Sequence, residues 1–298
     1  MRQTWQVQTG GQYVITEATV ADNSPTMRMR QLGMELRRLR DHAGKSQQEA
    51  ARWIDVTDTA LSKMERGVRR VRVAYVRSLC QLYDVGSPHT EFLERLARES
   101  GERGWWTDYG NTVPSWFADF LGMETVAEEV WTYESSIFPG LLQAQGYMEA
   151  IVSTRSDAER FTRLRATRQK RLVDDDPLIL RAVLDEAVVC RVVGDPDVMR
   201  KQVRHVIDTA RLPNVTVQVL PFSVGFHPAL ATGSFTALRF PEAPMNTVYV
   251  EIKGGAVYME KLPDVERHAT TFERLTELAL SEGETVSFLE QIERRYSE

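Results

Sequence analysis

The sequence predicts a multidomain chain, α followed by α/β: a small all-α module near the N-terminus, then a larger C-terminal α/β (α+β) domain with a mixed sheet. Three observations predict it. Residues 29–83 repeat apolar side chains at helical spacing, beginning with Leu32, Leu36 and Leu39. Beyond residue 175, alternating segments such as Val215-Thr-Val-Gln-Val-Leu220 and Thr247-Val-Tyr-Val-Glu-Ile252 read as strands interleaved with helical stretches. The length of 298 residues exceeds what one small module needs and implies two domains plus linkers.

Residues 1–27 are polar, carry Gly10-Gly11 and Asn23-Ser24-Pro25 around a short β-like patch at Tyr13–Thr16, and read as a flexible N-terminal arm. Residues 28–86 form the first domain. Its first helix is expected over Met29–Ala43, with Arg37, Arg38 and Arg40 opposite the leucines. Ser46 then caps a second helix, and Glu49 three residues on completes a capping box. Ala50 and Ala51 are small where two helices must cross closely, and Ile54, Val56 and Leu61 fill the space between them. Thr57 caps a third helix whose first turn, Asp58-Thr59-Ala60, is free to face outward. Gly67 supplies a left-handed stop. Val73, Val76, Leu79, Cys80, Leu82 and Tyr83 predict one or two further helices closing the core. Two short helices joined by a tight turn, the second rich in small polar residues with basic ends, is the arrangement by which a small domain places a helix in the DNA major groove.

On these residues the segment 30–86 resembles the Cro/C1-type (Xre) helix-turn-helix domain. The matching runs are Ser46-Gln-Gln-Glu-Ala-Ala51 and Ser62-Lys-Met-Glu-Arg-Gly67. The resemblance implies a lambda-repressor-like fold that binds double-stranded DNA, with Gln47 on the DNA backbone and Asp58, Thr59, Ser62 and Lys63 on the groove-facing side. Two positions depart from the family pattern. Asp55 stands at the turn position usually held by Gly, and Asp tolerates left-handed geometry better than most residues. Asp58 occupies a leading base-reading position, where its carboxylate repels phosphate but can accept from a cytosine amino group.

Charge agrees with this reading. Residues 28–80 hold 13 Lys/Arg against six Asp/Glu, a net +7, whereas the whole chain carries −5. A basic module on an acidic body is the electrostatic footprint of a nucleic-acid binder whose remainder serves another purpose. Arg66, Arg69 and Arg70, at and just beyond the end of the third helix, join Thr57 as candidate DNA contacts, the arginines on phosphates.

A helix over residues 87–103 is expected to link the halves, and Gly104-Trp105-Trp106 opens the second domain, residues 104–280. Val126–Ile137 reads as a helix or a helix-to-strand passage. Residues 158–174 form a helix whose run of Arg160, Arg163, Arg165, Arg168, Lys170 and Arg171 is best read as a solvated face paired with carboxylates. Strands are expected at 178–184, 215–220, 233–240, 247–252 and 256–259, and Val188–Val193 is of strand or helix type. Asp195-Pro196 opens a helix to Ala210, another spans 264–280, and a C-terminal helix occupies residues 281–298. The ordered runs Pro139-Gly-Leu-Leu-Gln143, Arg168-Gln-Lys-Arg-Leu172, Asp185-Glu-Ala187, Gln218-Val-Leu-Pro-Phe222, Gly225-Phe-His227 and Tyr249-Val-Glu251 resemble a group of actinobacterial Xre-type regulators described as antitoxin-like. That resemblance implies a small partner protein encoded nearby. Gln145-Gly-Tyr-Met148 departs from the group's usual threonine-glutamate-tyrosine-alanine run.

His227, in a loop flanked by glycine and proline, is a candidate ligand or partner site together with Glu186 or Glu251. Asp185 and Glu186 are adjacent, so on a strand they point to opposite faces and make a poor catalytic pair. No G-x-S-x-G, P-loop or G-x-G-x-x-G run is present. Cys80 and Cys190 read as buried thiols of a reducing compartment, and the five histidines show no metal-binding spacing. No run of about 18 apolar residues predicts a membrane span, and the N-terminus lacks the apolar core of a signal peptide. The expectation is a cytoplasmic transcriptional regulator, not an enzyme, without cofactor or metal, acting as a homodimer. Its C-terminal domain senses a signal or binds a partner. The alternatives are an antitoxin-like protein whose main work is to bind a small partner, and a small-molecule-responsive regulator with a pocket near His227.

Overall fold

A computed structural model of the chain describes residues 27–100, 104–240 and 246–297. The expected N-terminal arm lies outside these residues, apart from Met27.

The N-terminal half is helical: α1 (Met27–His42), α2 (Gln47–Trp53), α3 (Asp58–Glu65), α4 (Val73–Leu82) and α5 (His89–Glu99). Their apolar faces close on one core that includes Leu36, Leu61, Leu79 and Leu93. The helix expected as a linker is α5, and it does not stand between the halves. It buries Leu93, Leu96 and Ala97 in the same core, and its Glu94 accepts two hydrogen bonds from Arg77 of α4, at 2.8 and 3.2 Å. The charged residues opposite its apolar stripe form its solvent face.

After a 3₁₀ segment at Trp105–Thr112, the C-terminal half runs α6 (Ser115–Val126), β1 (Glu129–Glu134), α7 (Gln145–Ile151), α8 (Ala158–Gln169), β2 (Ile179–Asp185), α9 (Glu186–Cys190) and α10 (Pro196–Thr209). It continues through β3 (Val215–Leu220), β4 (Phe235–Arg239), β5 (Thr247–Ile252), β6 (Gly255–Met259), α11 (Leu262–Leu278) and α12 (Glu282–Arg295). Asp195 caps α10 with Pro196 in its first turn, as the sequence predicts, and Ser281 with Glu284 forms a capping box on α12. No described helix is long and apolar enough to cross a membrane.

The sheet is mixed, in the order β3-β2-β1-β4-β5-β6. β1, β2 and β3 are parallel, whereas β4, β5 and β6 run antiparallel to their neighbours. The segment left open between helix and strand, around residue 130, is β1, the strand joining the two halves of the sheet. Glu129-Val-Trp-Thr-Tyr-Glu134 is rich in β-branched and aromatic residues. Both its faces are covered, so it lacks the one-sided alternation that marks β3.

The alternation of side chains divides the core in two. Val130, Leu180, Ala182, Val217 and Val219 face one layer, where α10 and α12 pack. Trp131, Tyr133, Val183 and Val248 face the other, against Phe272 and Leu275 of α11.

Candidate nucleic-acid interface and a cavity in the C-terminal half

Local sequence fixes α2 and α3. The Ser46 hydroxyl accepts from the Glu49 amide at 3.2 Å while Glu49 accepts from the Ser46 amide at 2.8 Å. Thr57 accepts from the Ala60 amide at 3.2 Å. The turn between the helices passes through Asp55 at φ +53°, the left-handed conformation expected where Gly usually stands. Beyond α3, Gly67 has φ +69°, and a Cβ there would lie 2.5 Å from the Cα of Arg30, so no larger residue fits.

A buried ion pair holds α3 to α1. The Arg40 guanidinium donates to both Glu65 oxygens, at 2.6 and 3.1 Å, and Gln47 Nε2 donates to the same carboxylate at 3.0 Å. The helices cross at Gly33, where a Cβ would meet the Met64 carbonyl at 2.3 Å. These contacts make α3 a rigid element on a rigid support.

Ala60, Leu61 and Met64 of α3 point into the core, leaving Asp58, Thr59 and Lys63 exposed and Ser62 half-buried. Thr57, Arg66, Arg69 and Arg70 are exposed around the same edge. Arg66 Nε donates to the Ser62 carbonyl at 3.3 Å, and one Arg70 nitrogen donates to the Arg98 carbonyl of α5 at 3.2 Å, which pins that side chain. Gln47 is half-buried, tied into the Arg40–Glu65 pair. The expected residues of α3 and the segment after it are thus exposed, apart from half-buried Ser62, while Gln47 of α2 is engaged with Glu65.

The expected C-terminal site is not brought together. His227 is buried on the α11 side of the sheet, edge-on to Tyr133 at 5.8 Å, with Nε2 3.8 Å from Asp185. Glu251 belongs to the other layer, because it follows Tyr249 by two residues on β5 and alternation places both there; the Tyr249 hydroxyl donates to it at 3.1 Å. Glu186 accepts from the Phe222 amide at 2.8 Å. A pocket joining His227 with Glu251 is therefore excluded by the sheet between them.

Glu251 instead lines a cavity of about 460 Å³ on the opposite face. Its floor is the stretch of sheet where the parallel and antiparallel halves meet. Thr132 pairs in register with Thr236, and Thr236 with Tyr249, so these three form one row across β1, β4 and β5. The Thr132 and Thr236 hydroxyls lie 3.1 Å apart. Glu134 and Glu251 stand one step further along. Burial pushes the Glu134 carboxyl up to about 7, against the lowering hydrogen bond with Ser234 and with the Glu251 charge adding to the rise.

The roof is α8. Arg168 is buried and donates to both oxygens of Glu124 on α6, each at 2.7 Å. Arg165, one turn earlier, donates to the Gln143 side-chain oxygen and makes no salt bridge among the described residues. Its guanidinium lies 4.5 Å from the Phe161 ring centroid, and that of Arg155 lies 4.7 Å from the same centroid. Burial, with the neighbouring Arg168 charge, lowers Arg165 to about 10. Phe117 and Phe120 of α6 stack at 5.5 Å and complete an aromatic wall.

The basic run on α8 is thus only partly the solvated face expected of it. Arg163 is exposed and paired with Glu159, but Arg165 and Arg168 turn inward. The signal was in the spacing: Phe161, Arg165 and Arg168 recur at i, i+4 and i+7, one helical face. Thr132 and Glu134, alternating polar residues in an aromatic strand, were the matching signal on β1.

A family model described as a helix-turn-helix domain matches residues 31–93. No curated protein matches the chain. Another family model, described as a domain of unknown function (DUF5753), matches residues 117–291, which takes in the whole sheet and most of the cavity lining. Because that match spans more than half of the sequence, the chain belongs to the DUF5753 family, with a helix-turn-helix domain ahead of the family domain.

Proposed function

We propose that the protein is a sequence-specific, DNA-binding transcriptional regulator of the Cro/C1 type, rather than an enzyme, whose C-terminal half senses a small molecule. The observation that carries this reading is α3: a short helix capped at its start, locked to α1 by a buried ion pair, with Thr59 and Lys63 turned to solvent beside three arginines. Thr59, Ser62 and Lys63 read bases; Gln47, Arg66, Arg69 and Arg70 hold phosphates; Thr57 sets the helix start and Asp58 selects against bases lacking an amino donor. One such helix reads only a few base pairs, so the protein acts as a homodimer on two half-sites. Mapping bound sites across the genome, with a binding titration on the enriched sequence, tests the reading. An enriched two-part site supports it, and uniform occupancy overturns it.

The cavity supports the sensing role. Its volume falls in the range of small-molecule sites, and its polar groups converge within an apolar frame. α6 lines it with Phe117, Phe120 and Glu124 and also touches α1. A second reading, an antitoxin-like protein that binds a small partner, is favoured by the loop after β3. There Phe222, Phe226 and Leu230 are exposed, Phe226 by 82%. Co-purification of a stoichiometric small protein that is lost on Phe226→Asp would favour this second reading.

A further inference from the structure

We infer that the cavity between α8 and the β1-β4-β5 floor takes a zwitterionic small molecule of dipeptide size, its anionic group against Arg165 and its ammonium against Glu134 and Glu251. The inference rests on the sensing role proposed above and names the ligand class of that site.

The charges on the cavity wall carry the argument. The wall carries Arg155, Arg165 and Arg168 with Glu124, Glu134 and Glu251; burial keeps Glu134 partly protonated near neutral pH, so once Arg168 and Arg155 are matched, Arg165 faces about one carboxylate charge, which suits a ligand of no net charge. Two of the cations are already matched: Arg168 by Glu124, and Arg155 by Asp157, which accepts two hydrogen bonds from it at 2.8 and 2.9 Å. The remainder is polarised. Arg165 on the roof is flanked by two other guanidiniums and by no bonded carboxylate among the described residues. On the floor, Glu134 and Glu251 stand two strands apart, about 10 Å between Cα atoms, and neither forms a salt bridge among the described residues. A guanidinium without a carboxylate gains a strong charge-assisted pair from a ligand anion, and two carboxylates that repel one another gain from a cation between them.

Size and shape narrow the class. A cavity of about 460 Å³ is large for a single amino acid and suits two residues. Phe117, Phe120 and Phe161 offer ring faces to an apolar side chain. The hydroxyls of Thr132 and Thr236 on the floor can bond a peptide group, whereas the Gln143 amide is already held at both ends, by the Phe138 carbonyl at 2.6 Å and by Arg165.

The test uses the full-length protein without DNA, so its outcome is independent of operator binding. Calorimetric titration compares L-phenylalanyl-L-phenylalanine with its N-acetyl derivative, which lacks the cation, and its C-terminal amide, which lacks the anion. The free dipeptide is expected to bind saturably, and each derivative at least tenfold more weakly. In Arg165→Gln the dipeptide and its amide should bind alike. In Glu134→Gln the penalty for N-acetylation should shrink severalfold. Equal binding of all three probes to the wild type overturns the inference, as does no saturable binding of any of them up to 10 mM. These comparisons on the wild type stand even if a variant fails to fold. Loss of probe binding with operator binding intact would reject the ligand class alone, whereas intact probe binding without an operator would reject the regulator reading.

Discussion

Arg30 of α1 forms an ion pair with Asp119 of α6 at 3.3 Å. The two residues join the helix that supports α3 to the helix that walls the cavity. Within two turns of Asp119, α6 contributes Phe117, Phe120 and Glu124 to that wall. On its far side, Tyr258 of β6 donates to the Trp116 carbonyl at the start of the helix. Any displacement of α6 by an occupant of the cavity therefore acts on the base of the helix-turn-helix unit. Such a displacement changes DNA affinity only to the extent that the ligand distinguishes the two arrangements.

Burial raises the Asp119 carboxyl above the usual aspartate range, opposed by Arg30 and reinforced by Glu260. Asp119→Asn removes the charge while keeping the shape. Because burial outweighs the attraction of Arg30, we expect global stability at neutral pH to hold or rise slightly rather than fall. Amide exchange should quicken in the first turns of α1 and in α6 and stay unchanged in α3. Equal quickening throughout the N-terminal half would show that the pair supports the fold as a whole and not the junction.

Arg40→Ala leaves Glu65 buried without its cation, and stability of the N-terminal half should fall by about 3–5 kcal/mol. Thermal unfolding followed by circular dichroism reads the loss. Gln47→Ala removes only the third bond to Glu65 and should cost about 1 kcal/mol. Similar losses for both would mean that the ion pair contributes no more than a neutral hydrogen bond.

Arg69→Ala should weaken binding to all duplexes alike and lower the salt slope by about one unit. Arg70→Ala should do less, because one of its nitrogens already bonds the Arg98 carbonyl. Titrations at several salt concentrations measure both slopes. A change confined to one operator sequence would place these residues on bases instead.

Glu134→Gln should stabilise the protein at pH 8 and have little effect at pH 4. The Glu134 carboxyl lies near 7 in the fold and near 4.5 in the unfolded chain. Between those values the folded state holds a proton that the unfolded state has lost, so stability falls as pH rises from 4.5 to 7 and is level above. The effect at pH 8 is about 1–3 kcal/mol. Melting temperatures of both proteins across that range check it, and a constant offset would contradict the assignment.

The N-terminal half was legible because its signals are local. Ser46, Glu49, Thr57 and Gly67 act within a few residues of themselves, and the arginines beyond α3 announce themselves by composition. What could not be read there was the pairing of Arg40 with Glu65, 25 positions apart, or the close crossing at Gly33. In the C-terminal half β3, buried on one side, follows from alternation, and β5 from its β-branched and aromatic alternation in sequence, whereas β1 hid because both its faces are covered. The cavity was missed for a related reason. Its floor is assembled from Thr132, Thr236 and Tyr249 on three strands, a register that only the folded sheet defines. The sequence offered His227 and Glu251 as one site, yet His227 packs on Tyr133 in one layer and alternation along β5 puts Glu251 on the other side of that sheet.

The most direct test of the central claim is enrichment of bound sequences from random duplex DNA by the full-length protein, repeated with Thr59→Ala and Lys63→Ala. The account predicts one motif of two half-sites centred about 10–10.5 base pairs, or a multiple, apart. It also predicts that each substitution relaxes particular positions within a half-site, at a cost of about 1–3 kcal/mol per lost base contact. Recovery of the same motif with unchanged affinity from both variants would contradict the assignment of α3 as the reading helix, and no enriched motif from the wild type would contradict the account altogether.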